Sequence, residues 1–201
     1  MNLIRSGTLV AFAAAAATAC ERAGGAAPPQ ASAASHVDTV HAPEVALHRF
    51  REGLAEPAVP LSGGATDIET LAARWVDAVE AHDTTTIRQL VLDRAEFAWV
   101  YYPASAFSRR PLYQPPGLFW FRLQANSEKG ITRVLRRLGG SDMAYRGVEC
   151  TRPPRVEGEN RIWEYCAVRR ADAGTIRSDI LFGGILERAG RFKFISYGNQ
   201  F

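Results

Sequence analysis

Acid–base chemistry needs titratable side chains held within reach of one another, and this chain offers few such groupings. His82-Asp83 places an imidazole beside a carboxylate, and His82 is the only histidine between residues 67 and 201. The pair could exchange protons with a ligand. It reads equally as a helix junction, with His82 near a helix C-terminus and Asp83 capping the next helix. Tyr101-Tyr102 offers two hydroxyls to a ligand, or simply the half-buried end of a strand. Asn126-Ser127-Glu128-Lys129-Gly130 sets a carboxylate beside an ammonium inside an apolar helical stretch. It reads as a polar cluster at a cavity mouth or as a solvated helix face with a kink at Gly130. Trp99, Phe119, Trp120 and Phe121 could line a pocket, and aromatic residues at these spacings also build plain core. Catalytic residues therefore stay unassigned.

Several chemistries lack their signatures. No Gly-x-x-x-x-Gly-Lys-Ser/Thr phosphate loop, His-Glu-x-x-His zinc helix, Gly-x-Ser-x-Gly nucleophile elbow or Ser-x-x-Lys pair occurs. His36 and His41 match no metal-ligand spacing. Neither a metal nor a cofactor is implied. The formal charge of +3 over 201 residues is too balanced to argue for a nucleic-acid partner.

The elements that would position these residues can be read along the chain. Glu44–Leu54 carries Val45, Leu47, Phe50 and Leu54 and predicts a short docking helix stopped by Gly53. Thr66 and Glu69 have the spacing of a capping box. The helix after them carries Leu71, Ala72, Trp75, Val76 and Val79 on one face. Asp83 opens a shorter helix with Ile87, Leu90 and Val91. Residues 95–102, rich in aromatic and apolar side chains, predict a strand ending at Pro103. A proline-rich loop follows to 117. The next helical stretch begins at Pro115-Pro116-Gly117 and ends at Gly139-Gly140, with Gly130 as a candidate break. Four strands are then expected, at 144–150, 161–170, 175–186 and 191–197, as an antiparallel meander. Gly183-Gly184 predicts a bulge or sharp bend within the third.

The N-terminus has the three parts of an export signal: Arg5, an apolar run from Leu9 to Ala17, and small residues leading to Cys20. The run Ala17-Thr18-Ala19-Cys20 resembles the bacterial lipobox, departing from it at Ala17, where Leu is usual. The resemblance implies cleavage before Cys20 and acylation of its thiol and new amine, so the chain would be held by lipid at the cell envelope. An ordinary secretory cleavage near Ala19 is the alternative. Glu21, in place of Asp, favours the outer membrane facing the periplasm, by analogy with enteric bacteria. Residues 1–19 are then a leader and 20–42, rich in Ala, Gly, Pro and Ser, a flexible tether. Residues 43–66 form a partly ordered lead-in, and 67–201 the domain.

Export bears on the remaining cysteines, because disulfides persist outside the cytoplasm. Cys150 and Cys166 are equidistant from Gly158, so a hairpin symmetric about that residue sets them face to face. Opposed Cβ atoms lie about 4.5–5.5 Å apart in general and a bridge needs about 3.5–4.5 Å, which favours a non-hydrogen-bonded pair. The bridge would contribute about 3 kcal/mol in the chain-entropy model. Two buried free thiols are the alternative.

The order helix, short helix, strand, helix and four antiparallel strands, together with Trp75 and Ala81-His82-Asp83-Thr84, resembles the nuclear transport factor two-like family, also called SnoaL-like or ketosteroid-isomerase-like. The resemblance covers about residues 67–197. It implies an α+β cone: N-terminal helices packed in a curved antiparallel sheet around a cavity. That fold hosts binders, assembly domains and enzymes. The expectation is a non-catalytic module binding a small apolar ligand or an envelope protein, with Tyr101, Tyr102, Trp120, Asn126, Glu128 and Lys129 as candidate cavity residues. The alternative is an isomerase, dehydratase or hydrolase acting in the same cavity.

Overall fold

The computed structural model describes residues 41–201. The leader, Cys20 and all but the last two residues of the 20–42 tether lie outside the described residues.

The described part begins with α1 (Pro43–Arg51), started by Pro43 in its first turn and followed by Gly53 at φ +74°. The lead-in joins the fold. Phe50 and Leu61 are buried, and Ala65 bridges to Phe192. Helix α2 (Ile68–Glu80) is capped by Asp67, one residue later than expected. The Asp67 carboxylate accepts from the Thr70 N–H at 2.6 Å and from its hydroxyl at 2.8 Å. A carboxylate with two local donors takes the N-cap position from the neutral Thr66. Asp83 caps α3 (Thr84–Gln89) as expected, accepting from the N–H groups of Thr85 and Thr86.

Residues 95–102 are helical, which corrects the expected strand. Helix α4 (Arg94–Glu96) runs into a π-helical turn, Phe97–Tyr101, and a 3-10 turn, Tyr102–Ala104. A reciprocal capping box starts it: Asp93 accepts from the Glu96 N–H, and Glu96 accepts from the Asp93 N–H. Asp93-Arg94-Ala95-Glu96 is a sequence signature of that box. It outweighs the strand preference of the aromatic residues, which depends on a sheet position to fill.

The last helix, α5 (Pro116–Leu138), is continuous through Gly130. A Cβ on Gly130 would lie 1.8 Å from the Tyr197 carbonyl oxygen. The glycine is there for close approach, and it does not break the helix.

Seven short antiparallel strands replace the four-stranded meander. β1 (Tyr145–Cys150), β4 (Cys166–Asp172) and β5 (Thr175–Asp179) form one sheet in the order β1-β4-β5. β2 (Arg155–Glu157), β3 (Asn160–Trp163), β6 (Ile185–Arg188) and β7 (Arg191–Phe194) form the other in the order β2-β3-β6-β7. The chain changes sheet three times, first across 151–154 between β1 and β2. It changes again at Glu164-Tyr165, where Tyr165 has φ +57°, and across 180–184, where Gly183-Gly184 supplies the expected bend. A Cβ on Gly183 would approach the Ser196 hydroxyl to 2.8 Å. Cys150 and Cys166 pair directly and are joined by a disulfide. The hairpin tip closes half a step later than symmetry about Gly158 predicts, with Glu157 opposite Asn160.

Two aromatic cores fill the interior. Trp75 of α2 meets Phe182, Phe194 and Tyr197 at ring distances of 5.5, 6.2 and 6.2 Å. Phe97 is the centre of the second, touching Phe50, Tyr102, Phe119 and Trp120 at 5.6, 5.6, 5.6 and 5.0 Å. Both cores and the disulfide are built from residues of 41–201, so this segment carries its own core. Among the described residues no helix is long and apolar enough to cross a membrane.

Candidate functional site

The polar run of α5 is organised by the chain end beneath it. Ser127 is buried, and its hydroxyl accepts from the Tyr197 N–H at 2.9 Å. Gly130 sits on the Tyr197 carbonyl, and Val134 continues the buried line one turn on. This spacing of three and four residues makes one helix face. Residues on either side of it therefore open onto different grooves.

On one flank, Asn126, Lys129 and Arg133 border a groove of about 430 Å³ with Ser196 and Gly198–Gln200. On the other, Glu128 borders a smaller groove of about 240 Å³ with Gln124, Ile131, Leu135 and residues of α3. The structure thus brings Asn126 and Lys129 together and separates Glu128 from them.

The end segment is fixed. Asn199 donates from Nδ2 to the carbonyls of Leu181 at 2.8 Å and Tyr197 at 3.0 Å. Its Oδ1 accepts from the Phe201 N–H at 3.2 Å, and its own carbonyl accepts from Arg133. The segment stands as a ridge. Beyond it lies a concavity of about 620 Å³ where the two sheets diverge. Tyr165, Ile180, Phe182 and Phe201 give it apolar walls, while Glu164, Ser178 and Asp179 supply polar edges. Tyr165 and Ile180 are about half exposed. The concavity is an open groove at the surface.

The other candidates lie elsewhere. Tyr101, Tyr102 and Trp120 belong to the Phe97 core. The Tyr102 hydroxyl donates to the Gln114 carbonyl at 2.6 Å, which ties the proline-rich loop to the helix before it. Burial holds Tyr101 in its neutral form and, with the Glu157 carboxylate nearby, pushes its pKa up to about 12. The Tyr102 phenol is likewise raised by burial. Trp99 lies beneath the Arg51 guanidinium, 3.9 Å from its ring centroid, in a surface groove with Glu44, Leu47 and His48. Phe121 projects from α5 and is 69% exposed.

His82-Asp83 serves as a junction. The Asp83 carboxylate accepts from the Thr86 hydroxyl at 2.6 Å and from two backbone N–H groups, and the Thr86 hydrogen bonds hold its pKa low. His82 has φ +53°, and its ring packs over Gly139 and Gly140.

Sequence reasoning missed one feature outright. Glu96 and Lys193 form a buried ion pair, with Lys193 Nζ at 3.0 and 2.8 Å from the two carboxylate oxygens. Glu96 also accepts from the N–H and hydroxyl of Ser62 and from the Asp93 N–H. The available signal was a lone lysine inside an apolar terminal strand. Nothing in the sequence names a partner 97 residues away. Among the described residues no group of three or more His, Cys, Asp or Glu side chains is placed to hold a metal ion.

No family model, curated protein or solved structure matches this chain.

Proposed function

We propose that the chain is an envelope lipoprotein: residues 1–19 are removed, Cys20 is acylated, and 20–42 tether a recognition module formed by 43–201. The module binds through the groove beside Gly198–Phe201, where an apolar group of a small ligand or of an envelope protein seats against Tyr165, Ile180 and Phe201. The observation that carries this reading is the groove itself, apolar-walled, open and bordered by an anchored chain end. Binding sites are commonly concave and apolar with a few placed polar groups.

A cone-like arrangement is part of the proposal. Seating of α2 on the sheets through Trp75 supports it. The cavity of the resembled fold has no counterpart around Phe97, where the aromatic side chains pack on one another. That packing favours recognition at the surface groove.

The test replaces Ile180 with a photoreactive benzophenone amino acid in the full chain and irradiates intact cells. A discrete adduct is expected from Ile180, absent when the same group stands at Ile176, and abolished by Tyr165→Asp. No adduct, or the same products from both positions, would contradict the groove.

A further inference from the structure

Charge is unevenly spread over the described residues. Residues 103–138 carry seven basic side chains and one acidic, Glu128, a local net of +6. The remaining described residues carry fifteen basic and eighteen acidic, a net of −3. Six of those fifteen basic groups form ion pairs, Lys193 and five arginines of the sheets. On the sheets, Arg155, Arg161, Arg170, Arg177 and Arg188 each meet a carboxylate. Among the described residues, no basic group of 103–138 forms an ion pair.

These cations share a helix face with exposed apolar groups. Leu118, Arg122, Ala125, Lys129, Thr132 and Arg136 follow steps of three and four residues along α5, with Phe121 beside them and Glu128 at the edge of the face next to Phe121, and all eight are exposed. Phe121 is 69% exposed and Leu118 43%. Leu112, in the loop before the helix, is 55% exposed. The stripe is apolar and aromatic toward the N-terminus of α5 and basic toward its C-terminus. A solvated face has no use for an aromatic ring so exposed, whereas a bilayer interface takes apolar groups into its acyl boundary and cations among its headgroups.

Helix α1 packs beside the apolar end of this face. The 40 residues before the described part lead into α1. Its Phe50 lies against Gly117, at the N-terminal end of α5 and one residue from Leu118.

We infer that the exposed face of α5 is a second membrane contact, which docks the domain on an anionic phospholipid surface through Leu118 and Phe121 inserted at the interface and Arg122, Lys129 and Arg136 among the headgroups. This inference rests on the lipoprotein reading. It deepens that reading by giving the domain an orientation: α5 toward the bilayer and the two sheets away from it.

The test uses residues 41–201, which lack Cys20, in flotation with two kinds of vesicle: phosphatidylcholine with one-third phosphatidylglycerol, and phosphatidylcholine alone. Binding is expected to the anionic vesicles only and to fall as salt is raised. Arg122→Gln should weaken it about fivefold and Phe121→Ser about tenfold. Ile176→Ser, on the exposed strand β5, should leave it unchanged. Both apolar positions are exposed, so circular dichroism and melting should match the parent. Four results would overturn the inference: no flotation, equal flotation with both vesicles, full binding by Phe121→Ser, or tighter binding to a single-stranded oligonucleotide than to the anionic vesicles. A negative result leaves the anchor standing, because acylation at Cys20 is read separately from the mass of the full chain.

Discussion

At the scale of the residue, the Glu96–Lys193 pair decides whether the lead-in belongs to the domain. Both side chains are buried, and five hydrogen bonds converge on the Glu96 carboxylate from Ser62, Asp93 and Lys193. Moving a carboxylate and an ammonium out of water carries a desolvation penalty of several kcal/mol per ion, offset here by mutual attraction and a full set of donors. Removing one partner leaves the other charged and unpaired. Lys193→Met is therefore expected to destabilise the domain by about 3–5 kcal/mol in urea unfolding. A loss below about 1 kcal/mol, the range of exposed pairs, would contradict this role. The other candidate residues were legible as types but ambiguous in place. Tyr101 and Tyr102 looked like a ligand-facing strand end, and they lie in a helix inside the core. Asn126, Glu128 and Lys129 looked like one cluster, yet the buried line through Ser127 and Gly130 separates them. A helix places residues one and two apart on different flanks, so the run alone could not say which side faces a groove.

At the scale of the element, α5 links the proposed sites. Its buried face rests on Tyr197, one flank borders the chain-end ridge, and its exposed face carries the proposed membrane contact. The contact with Tyr197 depends on the missing side chain at Gly130. Gly130→Ala would drive a methyl group into the Tyr197 carbonyl. Overpacking of this kind costs about 1–3 kcal/mol, and it should outweigh the about 1 kcal/mol that alanine contributes within a helix. A net loss in thermal or urea unfolding is expected, and a gain would show that α5 does not rest on the chain end as described. The long helices were legible because their apolar residues repeat over several turns. The strands were legible in position but not in partnership. The expected 161–170 and 175–186 each divide between two sheets, because Tyr165 and Gly183-Gly184 turn the chain where the local pattern still alternates. Residues 95–102 misled through their aromatic content, while Asp93 and Glu96 held the helix-start signal one turn earlier.

At the scale of the whole molecule, the parts suggest a division of labour. The disulfide holds opposed residues of β1 and β4 in the smaller sheet. The sheets diverge above it to open the apolar groove, and α5 lies on the chain end that forms the groove's ridge. An anchor at Cys20, a docking face on α5 and a groove between the sheets would together present a fixed recognition surface at a membrane. In the proposed reading the lipid attachment is made at Cys20, which lies outside the described residues. The most direct measurement is the intact mass of the full protein extracted from bacterial membranes, with fragmentation of its N-terminus. The account predicts a chain beginning at Cys20 that carries diacylglycerol on the thiol, with or without a further acyl group on the amine. A chain beginning at any other residue, or a Cys20 with an unmodified thiol, would contradict it.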